Sequence, residues 1–207
     1  MKMTSMEDDI LISLITRERI HAPTVQWLLE QPCSVDIICA PYTIEHQRNT
    51  QVRRFLDSGK DWLLLIDDDA LPIRETLIGL WLAATVDETG KYIHVAPQWG
   101  GRFGEDRVLP LAYIRATDGK YSPLEERRGT FTVDLCGMSG AFLPRALLEE
   151  MPSPWFKTKH EDGVMITTED IYFYKKAQEL GYVIRAHLDL LSEHLKVSRI
   201  GQYNQLS

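Results

Sequence analysis

The sequence has no surplus of positive charge, no apolar run long enough to span a bilayer, few cysteines and no glycine-rich, basic phosphate loop near its start. A formal net charge of -7 withholds the basic surface that general nucleic-acid binding requires, while leaving room for a local cationic pocket. No segment approaches the ~18 apolar residues of a transmembrane helix, and the opening MKMTSMEDDI sets acids where a secretory signal needs an apolar core. A cytoplasmic protein is expected. Cys33, Cys39 and Cys136 are odd in number, lack zinc-ligand spacing and sit beside apolar stretches, so buried reduced thiols are expected. Repeats, low-complexity tracts and interdomain linkers are also missing. With 207 residues, 44% of them hydrophobic, the chain can bury one sizeable core.

What is present concentrates at Trp62-Leu63-Leu64-Leu65-Ile66-Asp67-Asp68-Asp69, an apolar run that opens directly into three carboxylates. The run has the length of a strand buried on both faces, and ligands of α/β proteins bind at the carboxyl ends of such strands. A turn or helix cap uses one carboxylate, whereas three adjacent anions repel one another. A divalent cation relieves that repulsion. Hard oxygen ligands suit magnesium or manganese, ions that bridge protein carboxylates to substrate phosphates.

Strand and helix patterns alternate around this run. Ile10 to Ile15 and Val35 to Ala40 read as strands, separated by a helix that Pro23 opens and that Val25, Leu28 and Leu29 pack. A second helix carries Val52, Phe55 and Leu56 on one face and ends near Gly59, and Leu77, Leu80, Trp81 and Ala84 mark a third. Lys91 to Pro97 resumes a strand, after which the alternation breaks around the hairpin dipeptide Asp118-Gly119. Thr130 to Leu135 reads as a core strand, Pro144 to Glu150 as a helix, and Pro152 to Thr167 as a long loop able to close over a ligand. A helix beginning near Thr168 and a strand from Tyr182 to Ala186 follow. The pattern predicts an α/β fold in one domain over residues 1–207, a three-layer α/β/α sandwich around a mostly parallel sheet.

Four other segments hold candidate chemistry. Thr167-Thr168-Glu169-Asp170 fits a capping box at a helix start, and a carboxylate there, beside an open loop, is placed to take a proton from an incoming hydroxyl. The second helix is expected to start near Gln47-Arg48-Asn49, with Arg48 in a first turn that disfavours cations; a phosphate held there would reverse the penalty, and an exposed arginine without a role is the plain alternative. Arg17 points to the same sheet edge. Ser192-Glu193-His194-Leu195-Lys196 contributes a late histidine, with His187 as a competitor. Gly137-Met138-Ser139-Gly140 is either a tight turn or a place where backbone approaches a substrate.

Taken in order, LISLITRER, QRNTQVRRFL, DWLLLIDDDALP, CGMSGAFLPRALLE, PWF, TTEDIYFYKKAQELGYVIRA and SEHLK resemble the A-type fold of nucleotide-sugar-dependent glycosyltransferases, especially small family 2-like bacterial and phage enzymes. The resemblance implies that Asp67 and Asp69 form an Asp-X-Asp motif. Asp69 would ligate Mn2+ or Mg2+, Asp67 would lie nearer the ribose or a metal-bound water, Asp68 would adjoin the donor, and His194 would complete the metal shell. Thr16, Arg17, Arg48 and Asn49 match segments lining the nucleotide pocket, and Gly137, Met138, Ser139 and Gly140 match the floor beneath the donor sugar. Asp170, paired with Glu169, matches the general base of inverting members, and Trp155 matches an aromatic presented to a sugar acceptor.

The activity so implied is metal-dependent transfer of a sugar from a nucleoside diphosphate sugar, with UDP as the expected nucleotide, to a hydroxyl of a glycan, lipid, protein or modified base. Residues 8–97 would bind the nucleotide and residues 98–200 would carry the acceptor and the catalytic acids. One departure concerns the base: Ile38-Cys39-Ala40-Pro41 supplies no carboxylate where many family 2 members read uracil. A nucleotidyltransferase is the nearest rival, and its basic glycine-rich loop is missing. A glycoside hydrolase would need two opposed carboxyls and no nucleotide. A non-catalytic nucleotide-sugar-binding protein of the same fold is the rival from another class.

Overall fold

The computed structural model describes residues 5–101, 108–162 and 164–195, so Lys196 of the SEHLK segment lies outside the described residues. The main sheet has seven strands: β1 (Ile10–Thr16), β2 (Ser34–Cys39), β3 (Trp62–Asp67), β4 (Tyr92–Val95), β5 (Thr130–Val133), β6 (Ala141–Pro144) and β7 (Val183–His187). Their order across the sheet is β5-β7-β4-β6-β3-β1-β2. β1 runs parallel to both β2 and β3, and β4 parallel to β7. β6 is antiparallel to both β3 and β4, and β5 is antiparallel to β7. The sheet is therefore mixed: five of the seven strands point one way, as a mostly parallel sheet predicts, and β5 and β6 are reversed. Of these, β6 is four residues directly before a helix and too short for its periodicity to distinguish strand from helix.

Helices α1 (Ala22–Leu29) and α3 (Thr76–Thr85) cover one face of the sheet, and α2 (Ile44–Ser58), α4 (Arg145–Glu150) and α5 (Glu169–Glu179) cover the other. Alternate residues of β1 divide between them. Ile10, Ile12 and Leu14 join Trp27, Leu77 and Leu80, whereas Leu11 joins Val52, Phe55 and Phe173. Burial on both faces is why β3 reads as an unbroken apolar run and β1 as one interrupted only by Ser13 before Thr16, and each large side chain so buried contributes about 1.5–3 kcal/mol.

Thr43 caps α2 by accepting from the His46 N–H at 3.4 Å, and Gly59 ends the helix at φ +74°, a left-handed conformation that suits a residue without Cβ. The Asp118-Gly119 turn joins short antiparallel strands Ala112–Arg115 and Tyr121–Pro123, as anticipated. The expected loop from Pro152 to Thr167 instead includes an antiparallel hairpin of Lys159–Glu161 with Val164–Thr167. Cys33 and Cys136 are buried thiols, Cys33 pushed by burial to about 11, but Cys39 is exposed on the edge strand β2, contrary to the expectation of three buried thiols. Among the described residues no helix is long and apolar enough to cross a membrane.

Candidate active site

The carboxyl ends of β1 and β3 open into a cleft of about 260 Å3 lined by Thr16, Arg17, Asp67, Asp68 and Asp69 among others. Five of the residues expected to handle the nucleotide and metal thus share one depression at the edge of parallel strands, where strand-end loops leave room for a ligand. Arg17 is exposed at its rim, whereas the Thr16 hydroxyl donates to the Arg19 carbonyl at 2.8 Å and so shapes the turn.

His194 is not in the cleft lining itself, but main-chain pairing brings it against Asp69, which is. The two-residue strand Glu193–His194 lies antiparallel to Ala70–Leu71, directly after the acidic triplet, with His194 opposite Ala70. The Leu195 N–H adds a bond to the Asp69 carbonyl at 2.7 Å. The consequence is a contact of 2.9 Å between His194 Nε2 and Asp69 Oδ2, with the two side chains 28% and 38% exposed. His187, the competing histidine, faces elsewhere and pairs with His94.

Asp67 is set from beneath. Its Oδ1 meets the Arg48 guanidinium at 2.5 Å, Arg48 Nη1 donates to Gln51 Oε1 at 3.1 Å, and the Asp67 N–H donates to the Ser139 hydroxyl at 3.1 Å. Burial pushes the Asp67 carboxyl up, Arg48 opposes the push, and Asp69 and Asp68 add to it. Gly140 holds the floor: its N–H donates to the Leu65 carbonyl at 2.7 Å, and a Cβ on it would lie 2.0 Å from the Ala96 carbonyl oxygen. Ser139 is 2% exposed and Gly137 donates to the Leu111 carbonyl at 2.7 Å, so this segment supports the acidic cluster from below.

Glu169 and Asp170 stand in the first turn of α5. Thr168 occupies the N-cap position without a capping bond from its side chain; its hydroxyl donates to Asp170 Oδ1, which also accepts from the Ile171 N–H at 2.7 Å. The expected capping box is therefore replaced by a local Thr168–Asp170 contact. Burial, then the charge of Asp170, raises the Glu169 carboxyl above its ordinary value, and Arg48 and Asp67 are close enough to act on it as well. This turn therefore lies within electrostatic reach of the Arg48–Asp67 pair.

Three placements differ from expectation. Arg48 is 1% exposed, because α2 starts at Ile44 and puts Arg48 a turn inside the helix; it neutralises Asp67 rather than presenting itself to a phosphate. Asn49 bonds to protein with every polar atom: its Nδ2 donates to the Glu45 and Phe156 carbonyls, each at 2.7 Å, and its Oδ1 accepts from the Trp155 and Phe156 N–H groups at 3.0 and 3.2 Å. An amide saturated in this way is a clamp between α2 and the 155–156 segment, not a nucleotide contact. Trp155 is 8% exposed in the core with its indole N–H donating to the Leu148 carbonyl at 2.9 Å, so it presents no open face to an acceptor.

Sequence reading missed Gln47 and Gln51. Gln51 donates to the Ser13 carbonyl at 2.7 Å, and Gln47 donates to the carbonyls of Thr16 and Ala40, tying α2 to the ends of β1 and β2. The signal was present: Gln47, Arg48 and Gln51 lie at helical spacing above Val52 and Phe55, so they extend the core stripe with polar residues that need buried partners.

The Asp69 carboxylate, in the cleft lining, is a donor that fits manganese or magnesium; the imidazole beside it departs from the all-oxygen shell magnesium prefers, and the pair leaves positions for substrate oxygens. The observation supporting that fit is the Asp69–His194 contact with the His194 Nδ1 buried and unpartnered. Asp67, tied to Arg48, fits as the second carboxylate behind them. Among the described residues no three ligating side chains are already gathered into a cage.

No family model and no curated protein matches the sequence. Solved structures do match in fold. The crystal structure of A197 from STIV superposes with a TM-score of 0.65 at 17% identity, covering 94% of this chain and 99% of that one. The crystal structure of GalNAc-T7 with UDP, GalNAc and Mn2+ superposes with a TM-score of 0.58 at 8% identity; 92% of this chain is covered, and it spans 44% of that chain. These likenesses show a shared glycosyltransferase A-like fold built on a large mixed sheet.

Proposed function

We propose that the chain is a metal-dependent glycosyltransferase that moves a sugar from a nucleoside diphosphate sugar, with UDP the favoured nucleotide, to an acceptor hydroxyl with inversion. The observation carrying this reading is the contact of His194 with Asp69, a residue lining the cleft formed by the ends of β1 and β3. The GalNAc-T7 structure, which contains UDP, GalNAc and Mn2+, lends support as a neighbour in fold.

Asp69 and His194, with Asp67 behind them, would hold Mn2+ or Mg2+. The ion supplies positive charge that stabilises the departing diphosphate. Arg17 at the rim adds a mobile cation for the phosphates, while Thr16 and Asp68 line the nucleotide end and the buried Gly137–Gly140 segment holds the floor rigid. Asp170 accepts the acceptor hydroxyl proton as that oxygen bonds to the anomeric carbon and the bond from that carbon to the diphosphate oxygen breaks. Glu169, its carboxyl raised by burial, adjoins the base and limits the negative charge around it. Residues 8–97 act as the nucleotide part and residues 98–200 as the acceptor part of one domain; within the expected 152–167 closing segment, Trp155, Phe156 and Thr158 are pinned to α2, so closure that excludes water would fall to the Lys159–Glu161 and Val164–Thr167 hairpin.

The test is turnover of a panel of nucleotide sugars with Mn2+. Asp170→Asn is expected to lower turnover by about 100-fold or more while nucleotide binding persists. Undiminished turnover in that variant removes Asp170 from its role. Metal-dependent nucleotide binding without any transfer or donor hydrolysis would favour a non-catalytic binding protein.

A further inference from the structure

A second groove, of about 360 Å3, lies on the other side of the first turns of α2. One wall is the helix face carrying His46, Asn49 and Arg53, and the other is the backbone from Ser153 to Lys157. The walls are fixed to each other. Asn49 makes three bonds across them, to the Phe156 carbonyl and the Trp155 and Phe156 N–H groups, Glu45 Oε2 accepts the Thr158 N–H at 2.6 Å, and Lys176 Nζ holds the carbonyls of Pro152 and Pro154. The groove is thus preformed, and its shape needs no ligand.

Its charge runs against that of the chain. In a protein of net charge -7, the exposed Arg53 and Lys157 face this groove together with His46, and among the described residues neither Arg53 nor Lys157 has a carboxylate partner. Among the described residues Arg53 donates one hydrogen bond, to the Thr50 hydroxyl at 3.2 Å. Glu45, the single acid of the lining, accepts the Thr158 N–H and keeps its charge, so the two cations Arg53 and Lys157 outnumber it by one. Unpaired cations gathered on rigid walls recognise anions, the guanidinium in bidentate fashion and the ammonium as a point charge.

We propose that this groove binds a phosphate or carboxylate group carried by the acceptor, so that the acceptor is an anionic molecule. Ile44 and Gln47 of the same helix turns line the donor cleft, so a ligand seated here lies one helix width from the nucleotide. That the anion belongs to an acceptor rests on the transferase reading above; that the groove takes an anion does not.

The test titrates the full chain with inorganic phosphate, and separately with acetate, at constant ionic strength, following backbone amide resonances, with chloride as the reference. Saturable shifts centred on His46, Arg53 and Lys157 are expected, together with at least a tenfold loss of affinity in the R53Q/K157Q double variant and no change in UDP binding with Mn2+. Phosphate binding without acetate binding assigns a phosphorylated ligand; the reverse assigns a carboxylate. Shifts no larger than those with chloride, or equal in the double variant, overturn the proposal. So does displacement of the phosphate by UDP, which would put the anion in the donor cleft. If phosphate binds as described while UDP with Mn2+ does not bind at all, the groove stands and the transferase reading falls.

Discussion

His194 Nε2 and Asp69 Oδ2 stand 2.9 Å apart although 125 positions separate the residues in sequence, because a two-residue strand returns to pair beside the acidic triplet. If they ligate one ion, neither alone should keep it. His194→Ala and Asp69→Ala are each expected to abolish the Mn2+-dependent part of UDP-induced thermal stabilisation, and the double variant should lose no more than either single one. A shared ion couples the sites and makes their effects non-additive. Additive losses, or a metal increment that survives in His194→Ala, would show that they act separately.

Arg48 is a buried cation paired with the partly exposed Asp67, and removing it leaves Asp67 without its cation beside Asp68 and Asp69. Breaking such a pair from one side costs about 3 kcal/mol or more. Arg48→Met should therefore lower stability in urea by about that amount, and adding Asp67→Asn should restore part of it by removing the stranded charge. A double variant less stable than Arg48→Met would contradict this account of the pair.

The parts legible in the sequence were those written in long patterns. The buried run of β3, the acids at its end and the helix stop at Gly59 were all placed correctly, because strand burial and a left-handed cap leave their mark on residue type. His194 stands out in the sequence only as a late histidine beside its competitor His187, and its choice as the ligand comes from the resemblance, since a two-residue strand carries no periodicity. What escaped was set by tertiary contacts. Ala141–Pro144 runs antiparallel between two strands of the sheet, Asn49 spends its amide on backbone, and Trp155 is core; nothing in their neighbours along the chain distinguishes these roles. Arg48 was misplaced by a helix boundary drawn three residues late, enough to turn an exposed first-turn cation into a buried one.

Gly140 bears on the floor of the site in a way that Gly59 does not. Both have positive φ, +82° and +74°, but a Cβ at Gly140 would meet the Ala96 carbonyl oxygen at 2.0 Å, whereas one at Gly59 meets nothing within 4 Å. Gly59→Ala should cost only the left-handed strain, about 1 kcal/mol. Gly140→Ala must also move β6 or the residue 96 backbone, and a loss of more than about 3 kcal/mol is expected. Comparison of melting temperatures tests the pair, and equal losses would mean that the close approach at Ala96 is absent in solution.

The stability of the far side of the sheet should fall on mild acidification. His94 Nδ1 and His187 Nε2 lie 2.9 Å apart, His187 Nδ1 is 3.1 Å from the Thr130 hydroxyl, and the other nitrogen of His94 is buried without a partner. Burial lowers both imidazoles from 6.5 to about 4. For His94 the neighbouring His187 and Arg185 add to the effect and Asp87 opposes it; for His187 Arg185 adds and Asp189 opposes. The unfolded chain protonates at its ordinary value, so between roughly pH 6.5 and 4 it binds more protons than the folded one. Stability is complete above pH 6.5 and drains away as the pH falls through that window, at a slope of about 1 kcal/mol per pH unit for each imidazole. Urea unfolding at intervals from pH 7.5 to 4.5 measures it. His94→Phe, whatever its own stability, should flatten the slope by roughly half, because it leaves one titrating imidazole where there were two. A slope as steep in that variant as in the parent would assign the acid sensitivity to other groups.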